Sequence, residues 1–292
     1  MPGLGAETKS SRAACGDAGK RLFWPSARTP LTGLFANLPL PYHAGGNQFA
    51  IKLVTTTLLV VLITFAPLAG KAQTGEMPSN YRAAEIVSAE LTKLSPVLAD
   101  KGLKLGAPVY IAIYKSERRL ELWSQADDGA FKLFKSYRVC DMSGGLGPKL
   151  SQGDDQAPEG FYGIARDQLN PDSRYDLSLN IGYPNAYDQA HNRTGSLLMI
   201  HGSCLSVGCY AMTDPQIEEI YALVYSALTA GEPSVPVNIF PFEMTAENMA
   251  AHASSQWYPF WAELKAGYDA FAATGKPPIV SVLNGNYVVT PN

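Results

Sequence analysis

Residues 199–214 read MIHGSCLSVGCYAMTD, from Met199 to Asp214, and hold one of the four histidines and two of the four cysteines of the 292-residue chain. Before them Ser196–Ile200 reads as a short buried strand that carries His201 to its end. After them Thr213 or Asp214, followed by Pro215, has the composition of a helix start. The reactive residue types therefore fall on a loop between a strand and a helix, a rigid mount for chemistry. Cys209 follows His201 by eight positions. The thiolate is the reactive form of cysteine, and a nearby imidazole serves as its base and its counter-charge. Gly202 and Gly208 let the backbone come close to a substrate and turn its N–H groups toward a developing oxyanion. His201, Gly202, Ser206, Gly208 and Cys209 are the candidate catalytic set, with Ser203 and Tyr210 as adjoining substrate contacts. Two plainer readings compete. A buried cysteine is commonly an inert small hydrophobe. Alternatively, His201, Cys140, Cys204 and Cys209 have the composition of a zinc site, although no C-x2-C pair is present.

Upstream, Asn80–Leu94 places Ile86, Val87, Leu91 and Leu94 on one helical face, with Ser79 or Asn80 as cap and Pro96 as an interruption before Gly102. From Pro108 the period changes to that of strands. Val109–Tyr114, Leu120–Trp123, Phe131–Phe134 and Tyr137–Cys140 alternate with turns at Lys115-Ser116 and Asp127-Asp128-Gly129, which predicts an antiparallel meander. Trp123 and the phenylalanines of this region read as core. Ser143–Tyr162 is too rich in glycine and proline to be one element and reads as a long loop. Within it Lys149 is either a substrate-carboxylate contact or a solvated charge. A short strand follows near Leu177–Ile181. Arg193 has the bidentate geometry that carboxylates favour, with a surface pair to Asp188 as the alternative. Downstream of the central loop, Ile217, Ile220, Tyr221, Val224 and Leu228 form the apolar face of a helix that Gly231 stops. Pro233–Phe242 predicts a strand, the aromatic tail from Thr245 predicts helical pieces, and Ile279–Val289 predicts one last strand.

The N-terminal region has a different character. Residues 1–50 show no sustained periodicity and read as disordered or as a misassigned start. Ile51–Leu68 is an apolar run, and Gly70-Lys71-Ala72 supplies small residues where a signal peptidase cuts, so 51–72 reads as a secretory signal; the alternative is a retained anchor. Loss of residues 1–72 takes away seven Lys/Arg and two acids, leaving sixteen basic and twenty-four acidic residues and a formal net charge of −8. Nucleic acid is an unsuitable partner for such a surface, because phosphate binding needs a basic footprint. Cys140, Cys204 and Cys209 then remain, an odd number for an exported chain. Either one thiol stays free or a partner lies elsewhere; the economical arrangement pairs Cys140 with Cys204 and keeps Cys209 free.

The sequence resembles the L,D-transpeptidase catalytic domain, the YkuD-like family of peptidoglycan-directed cysteine enzymes, and within it the YafK-like branch of Gram-negative envelopes. The resemblance rests on His201-Gly202 with Ser206-Val207-Gly208-Cys209, on Gly147-Pro148-Lys149, Gly153-Asp154 and Pro158-Glu159-Gly160-Phe161-Tyr162, and on Gly182-Tyr183-Pro184-Asn185 with Asp188, Arg193 and Gly195. It implies an α+β fold: a mainly antiparallel, β-sandwich-like core over 105–242, a helical lead-in over 73–104 and a helical C-terminal extension over 243–292. It also implies acyl transfer through a Cys209 thioester at meso-diaminopimelate-containing stem peptides, with His201 as base and acid and the Gly202 carbonyl or a serine orienting the ring. Lys149, Tyr162, Arg193, Ser203 and Tyr210 would contact substrate; no cofactor and no metal are implied. Transpeptidation, hydrolytic release of an envelope lipoprotein from peptidoglycan, and non-catalytic peptidoglycan binding are all compatible with it, as is a periplasmic location. The chain departs from the pattern in a shortened His–Cys loop, and in Val207 and Ala211 where many members carry cations.

Overall fold

The computed structural model describes residues 76–292; the expectations for residues 1–72 lie outside them. The chain opens with helix α1 (Tyr81–Asp100), capped by the Asn80 side chain, which accepts the Ala83 N–H at 2.7 Å. Pro96 does not end this helix but lies within it. Ala83, Val87, Leu94 and Leu98 form one buried stripe that continues past the proline, so tertiary packing outweighs the hydrogen bond that proline cannot make.

One five-stranded sheet has the order β3-β2-β1-β10-β5, formed by β1 (Val109–Tyr114), β2 (Arg119–Gln125), β3 (Phe131–Arg138), β5 (Gly160–Ile164) and β10 (Val235–Phe240). All neighbours are antiparallel except β1 and β10. The two segments expected at Phe131–Phe134 and Tyr137–Cys140 are one strand, β3, whose pairing with β2 absorbs an irregularity at Leu122/Trp123. Every residue of β1 is buried, which follows from both sheet faces being covered. Val109, Ile111 and Ile113 enter one core with Leu120, Leu122, Val235, Val237, Ile239 and the apolar face of helix α3 (Asp214–Thr229). Tyr110, Ala112 and Tyr114 enter a second, aromatic core with Phe161, Phe240, Trp261 and Leu264. The latter two belong to helix α5 (Tyr258–Thr274), which follows the short α4 (Ala246–Ala251).

A second five-stranded sheet, of order β4-β9-β8-β7-β6, carries the loop quoted above. Its strands are β4 (Asp141–Met142), β6 (Leu169–Asn170), β7 (Ser178–Asn180), β8 (Met199–His201) and β9 (Tyr210–Ala211). A small helix α2 (Ala186–Ala190) sits between β7 and β8 in the chain. The predicted last strand is instead a hairpin, β11 (Ile279–Leu283) and β12 (Asn286–Thr290). Asn284 and Gly285 at its tip have φ of 51° and 80°, as a tight hairpin turn requires, and Asn-Gly is the pair best suited to it. The α+β architecture expected from the sequence is the one observed.

A fully buried ion pair joins the first sheet to the long loop after β4. The Lys115 ammonium lies 3.0 Å from Glu159 Oε1 and donates to the carbonyls of Gly147 (2.8 Å) and Ala157 (3.0 Å). Glu159 in turn accepts the Gly147 N–H at 2.7 Å and the Trp261 indole N–H at 2.8 Å. Burial pushes the Lys115 pKa down, and the neighbouring carboxylate opposes that. Each charge is matched and hydrogen-bonded, the condition under which burial is tolerated. Lys115→Met should therefore cost about 3–5 kcal/mol, the penalty for stranding a buried charge, read as a lowered midpoint in urea. Lys115→Met with Glu159→Leu should cost less than the two single substitutions together; strict additivity would show that the pair is uncoupled.

Candidate active site

Strands β8 and β9 run parallel, with Ile200 opposite Tyr210 and His201 opposite Ala211. Cys209 immediately precedes β9. His201 and Ala211 are paired across the two strands, and Cys209 lies in the bend that leads into β9. The candidate nucleophile and base thus stand at the ends of adjoining strands, and both are almost completely buried.

The imidazole is fixed by its own backbone. His201 Nδ1 lies 2.6 Å from the Gly202 carbonyl oxygen. A carbonyl can only accept, so Nδ1 carries the proton and Nε2 presents its lone pair. That Nε2 is buried and has no hydrogen-bond partner among the described residues. The Tyr175 ring lies against the imidazole with centroids 4.8 Å apart. Burial lowers the His201 pKa, partly offset by the Gly202 carbonyl and by Asp141. The ring is thus held neutral, in the tautomer a general base needs.

Gly202 has no room for a side chain. A Cβ there would meet Asp214 Oδ1 at 2.6 Å and the Tyr175 carbonyl oxygen at 2.9 Å. Its N–H donates to the same Tyr175 oxygen at 2.9 Å. Beyond it the loop is built from polar ties. Ser203 N–H donates to Asp214 Oδ1 at 2.7 Å, and Cys204 N–H to the Met212 carbonyl at 3.1 Å. Ser206 N–H donates to Asp141 Oδ2 at 2.9 Å, while its hydroxyl donates to the Cys209 carbonyl at 2.6 Å. Gly208, at φ 104°, donates its N–H to the Ser143 hydroxyl. The Gly208 amide is therefore committed in this state and does not stand as an open oxyanion donor. Ser206 holds the loop and makes no hydrogen bond to the imidazole.

Cys140 and Cys204 form a disulfide that spans 64 residues of sequence. It uses two of the four ligands the zinc alternative required. The expectation of a free Cys209 is not met: among the described residues no cysteine is a free thiol, and Cys209 is itself disulfide-bonded. Cys209 Sγ lies 3.8 Å from the Leu197 carbonyl oxygen, and the chemistry considered below is that of its reduced form.

The expected substrate contacts outside the loop are engaged inside the fold. Lys149 is buried, pairs with Asp154 and donates to the Ser151 carbonyl at 2.9 Å, so it is not a solvated charge. Arg193 is buried, donates to Asp188 Oδ1 at 2.9 Å and lies over the rings of Tyr187 and Phe260. Tyr162 donates its hydroxyl to Asp188 Oδ2 at 3.0 Å, and Tyr210 donates to the Pro158 carbonyl at 2.7 Å. Each of these four side chains is tied to partners within the fold. Four others, unremarked in the sequence as site residues, shape the site: Asp141, Ser143, Tyr175 and Asp214. Of these only Asp214 carried a signal, as a possible helix cap; the rest lie in turn-rich or extended segments where nothing marks them.

Comparison with known proteins places these observations in a family. Residues 108–270 match the family model described as the L,D-transpeptidase catalytic domain, YkuD. A relative named "Putative L,D-transpeptidase YafK" in Escherichia coli K12 is 47% identical over 241 residues, covering 82% of this chain and 90% of that protein. Among solved structures, the helical cell shape determining protein Pgp2 of Campylobacter jejuni is 22% identical, covering 64% of this chain and 67% of its own, with a TM-score of 0.39. Bd1075 of Bdellovibrio bacteriovorus is 16% identical, covering 61% and 81%, with a TM-score of 0.34.

Gly202→Ala should displace the carbonyl that orients His201, and turnover should fall by about a hundredfold, the cost of misplacing a catalytic group by roughly 1 Å. Steady-state kinetics on folded variant will check this; unchanged turnover would show that the carbonyl does not matter. Because the imidazole must be neutral to act and its pKa is lowered in the fold, activity should hold on acidification until below the ordinary histidine range of about 6.5. A pH profile of kcat/KM whose acid limb sits above that value would contradict this.

Proposed function

The chain belongs to the L,D-transpeptidase catalytic-domain family, and from that premise we propose that it is a cysteine acyltransferase of peptidoglycan stem peptides. The observation that carries this reading is the buried Nε2 of His201, which has no hydrogen-bond partner among the described residues, at the end of a strand paired with the one that Cys209 leads into. In the reaction the reduced Cys209 sulfur attacks the carbonyl carbon of the bond joining meso-diaminopimelate to D-alanine. The S–C bond forms and the C–N bond breaks. Nε2 takes the thiol proton and passes it to the departing amine. The resulting thioester is then attacked by an amine, whose proton goes to Nε2 as the C–S bond breaks, and a new cross-link forms. Water in place of the amine gives hydrolysis through the same intermediate. Orientation of the ring by the Gly202 carbonyl serves the role that a third residue plays in a catalytic triad.

An acceptor bound to peptidoglycan requires the enzyme to work outside the cytoplasm. We propose export to the periplasm directed by Ile51–Ala72, on the strength of its apolar run and small-residue exit site. A lipoprotein attached to peptidoglycan is the second substrate class the reading admits, because its attachment presents the same kind of amide to the sulfur.

The test is incubation of the reduced protein, beside Cys209→Ala, with tetrapeptide muropeptides and with lipoprotein-linked sacculi, followed by mass spectrometry. D-alanine release with dimer formation identifies a transpeptidase; tripeptides or freed lipoprotein without new cross-links identify a hydrolase. The alanine variant should yield neither. A folded, reduced native protein that turns over no substrate, or an alanine variant as active as the native chain, overturns the reading.

A further inference from the structure

Cys140 and Cys204 lie in neither of the roles described so far, yet the disulfide between them spans the segment on which the imidazole depends. Cys204 sits between His201 and Cys209 in the chain. Cys140 adjoins β4 and donates its N–H to the Ala211 carbonyl at 2.9 Å, so the bridge crosses from one side of β9 to the loop that feeds it. That loop holds two successive non-glycine residues in the left-handed region, Ser203 at φ 68° and Cys204 at φ 46°. Such conformations are unfavourable for L-residues and persist only where surrounding contacts over-determine them. The contacts here are the Ser203–Asp214 and Cys204–Met212 hydrogen bonds and the disulfide itself. The peptide unit joining Gly202 to Ser203 carries the carbonyl that selects the His201 tautomer. Its direction is set by ψ of Gly202 and by the strained residue that follows.

We infer that Cys140 and Cys204 are positioning residues: their bridge holds the 202–204 turn so that the Gly202 carbonyl stays on His201 Nδ1 and Nε2 faces the reacting sulfur. The enzyme then has a divided thiol requirement. Cys209 acts reduced, whereas the Cys140–Cys204 pair acts oxidised. With the bridge open, Ser203 and Cys204 relax toward right-handed backbone, the carbonyl swings away, and neutral His201 is no longer held in one tautomer. Substrate binding, which does not need that tautomer, is left in place. The inference rests on the acyl-transfer reading for its turnover measurement and on alkylation of Cys209 for a measurement that needs no substrate.

The decisive variant is Cys140→Ser/Cys204→Ser, compared with the native protein for kcat, for KM and for the rate at which iodoacetamide alkylates reduced Cys209 near neutral pH. We expect kcat and the alkylation rate each to fall at least tenfold with KM changed less than twofold. If the native protein alkylates rapidly but turns over nothing, the acyl-transfer reading fails while the alkylation ratio still decides the inference. Equal alkylation by the two proteins, or a fall in KM-linked binding with kcat preserved, overturns it. Should the variant not fold, graded reduction of the native protein answers the same question. Turnover and alkylation plotted against the fraction of Cys140–Cys204 found reduced by peptide mass mapping should both decline while the near-ultraviolet circular dichroism signal is retained. A flat or rising curve overturns the inference.

Discussion

A parallel pairing made by a very short connection constrains everything near the site. Strands β8 and β9 lie side by side in the same direction, yet only residues 202–209 join His201 to Tyr210. Parallel neighbours usually need a crossover of about a dozen residues or more, commonly a helix. Here the strands themselves are short, three and two residues, so the chain can double back within one loop. It does so through left-handed residues at Ser203, Cys204 and Gly208, and by anchoring the turn to Asp214, Asp141, Ser143 and Cys140. The same compression presses Gly202 against Tyr175 and Asp214. Geometry at this site is thus the by-product of closing a parallel pair in too few residues.

That closure needs a stiff base. The first sheet, covered on both faces by an aliphatic and an aromatic core, supplies it through α3, which packs on β1, β10, β7 and β8 and so ties the two sheets together. The Lys115–Glu159 pair extends the rigidity to the loop between β4 and β5. The beginning of that loop brings Ser143 to the Gly208 amide, and Pro158, two residues before β5, accepts the Tyr210 hydroxyl. A long glycine-rich segment therefore acts as framework around the 202–209 loop.

Much of this was legible in the residues. The β-branched and aromatic run Val109–Tyr114 and the Pro215 helix start each state a local preference that the fold obeys. What escaped was decided at longer range. Pro96 speaks against a continuous helix, but Leu98 has a pocket to fill. The Arg193–Asp188 pair is among the readings of the sequence, though as a surface contact and not the buried one it is, whereas the Lys149–Asp154 pair is not. Lys115 and Glu159 carry no sequence mark of a pair because they meet only through the sheet. Asn284-Gly285, by contrast, carried the hairpin signal in plain view, and the turn it makes is the one its chemistry favours.

The family membership gives the chemistry its setting, but the molecular account stands on one sulfur receiving an acyl group with the help of one ring nitrogen. The most direct measurement is to mix reduced protein with a tetrapeptide muropeptide, quench in acid within the first turnover, and map the acyl adduct by peptide mass spectrometry in the native chain and in His201→Ala. The account predicts a hydroxylamine-labile tripeptidyl adduct on Cys209 that forms far more slowly in the alanine variant. An adduct on another residue, or one that forms on Cys209 at the same rate without the imidazole, would contradict it.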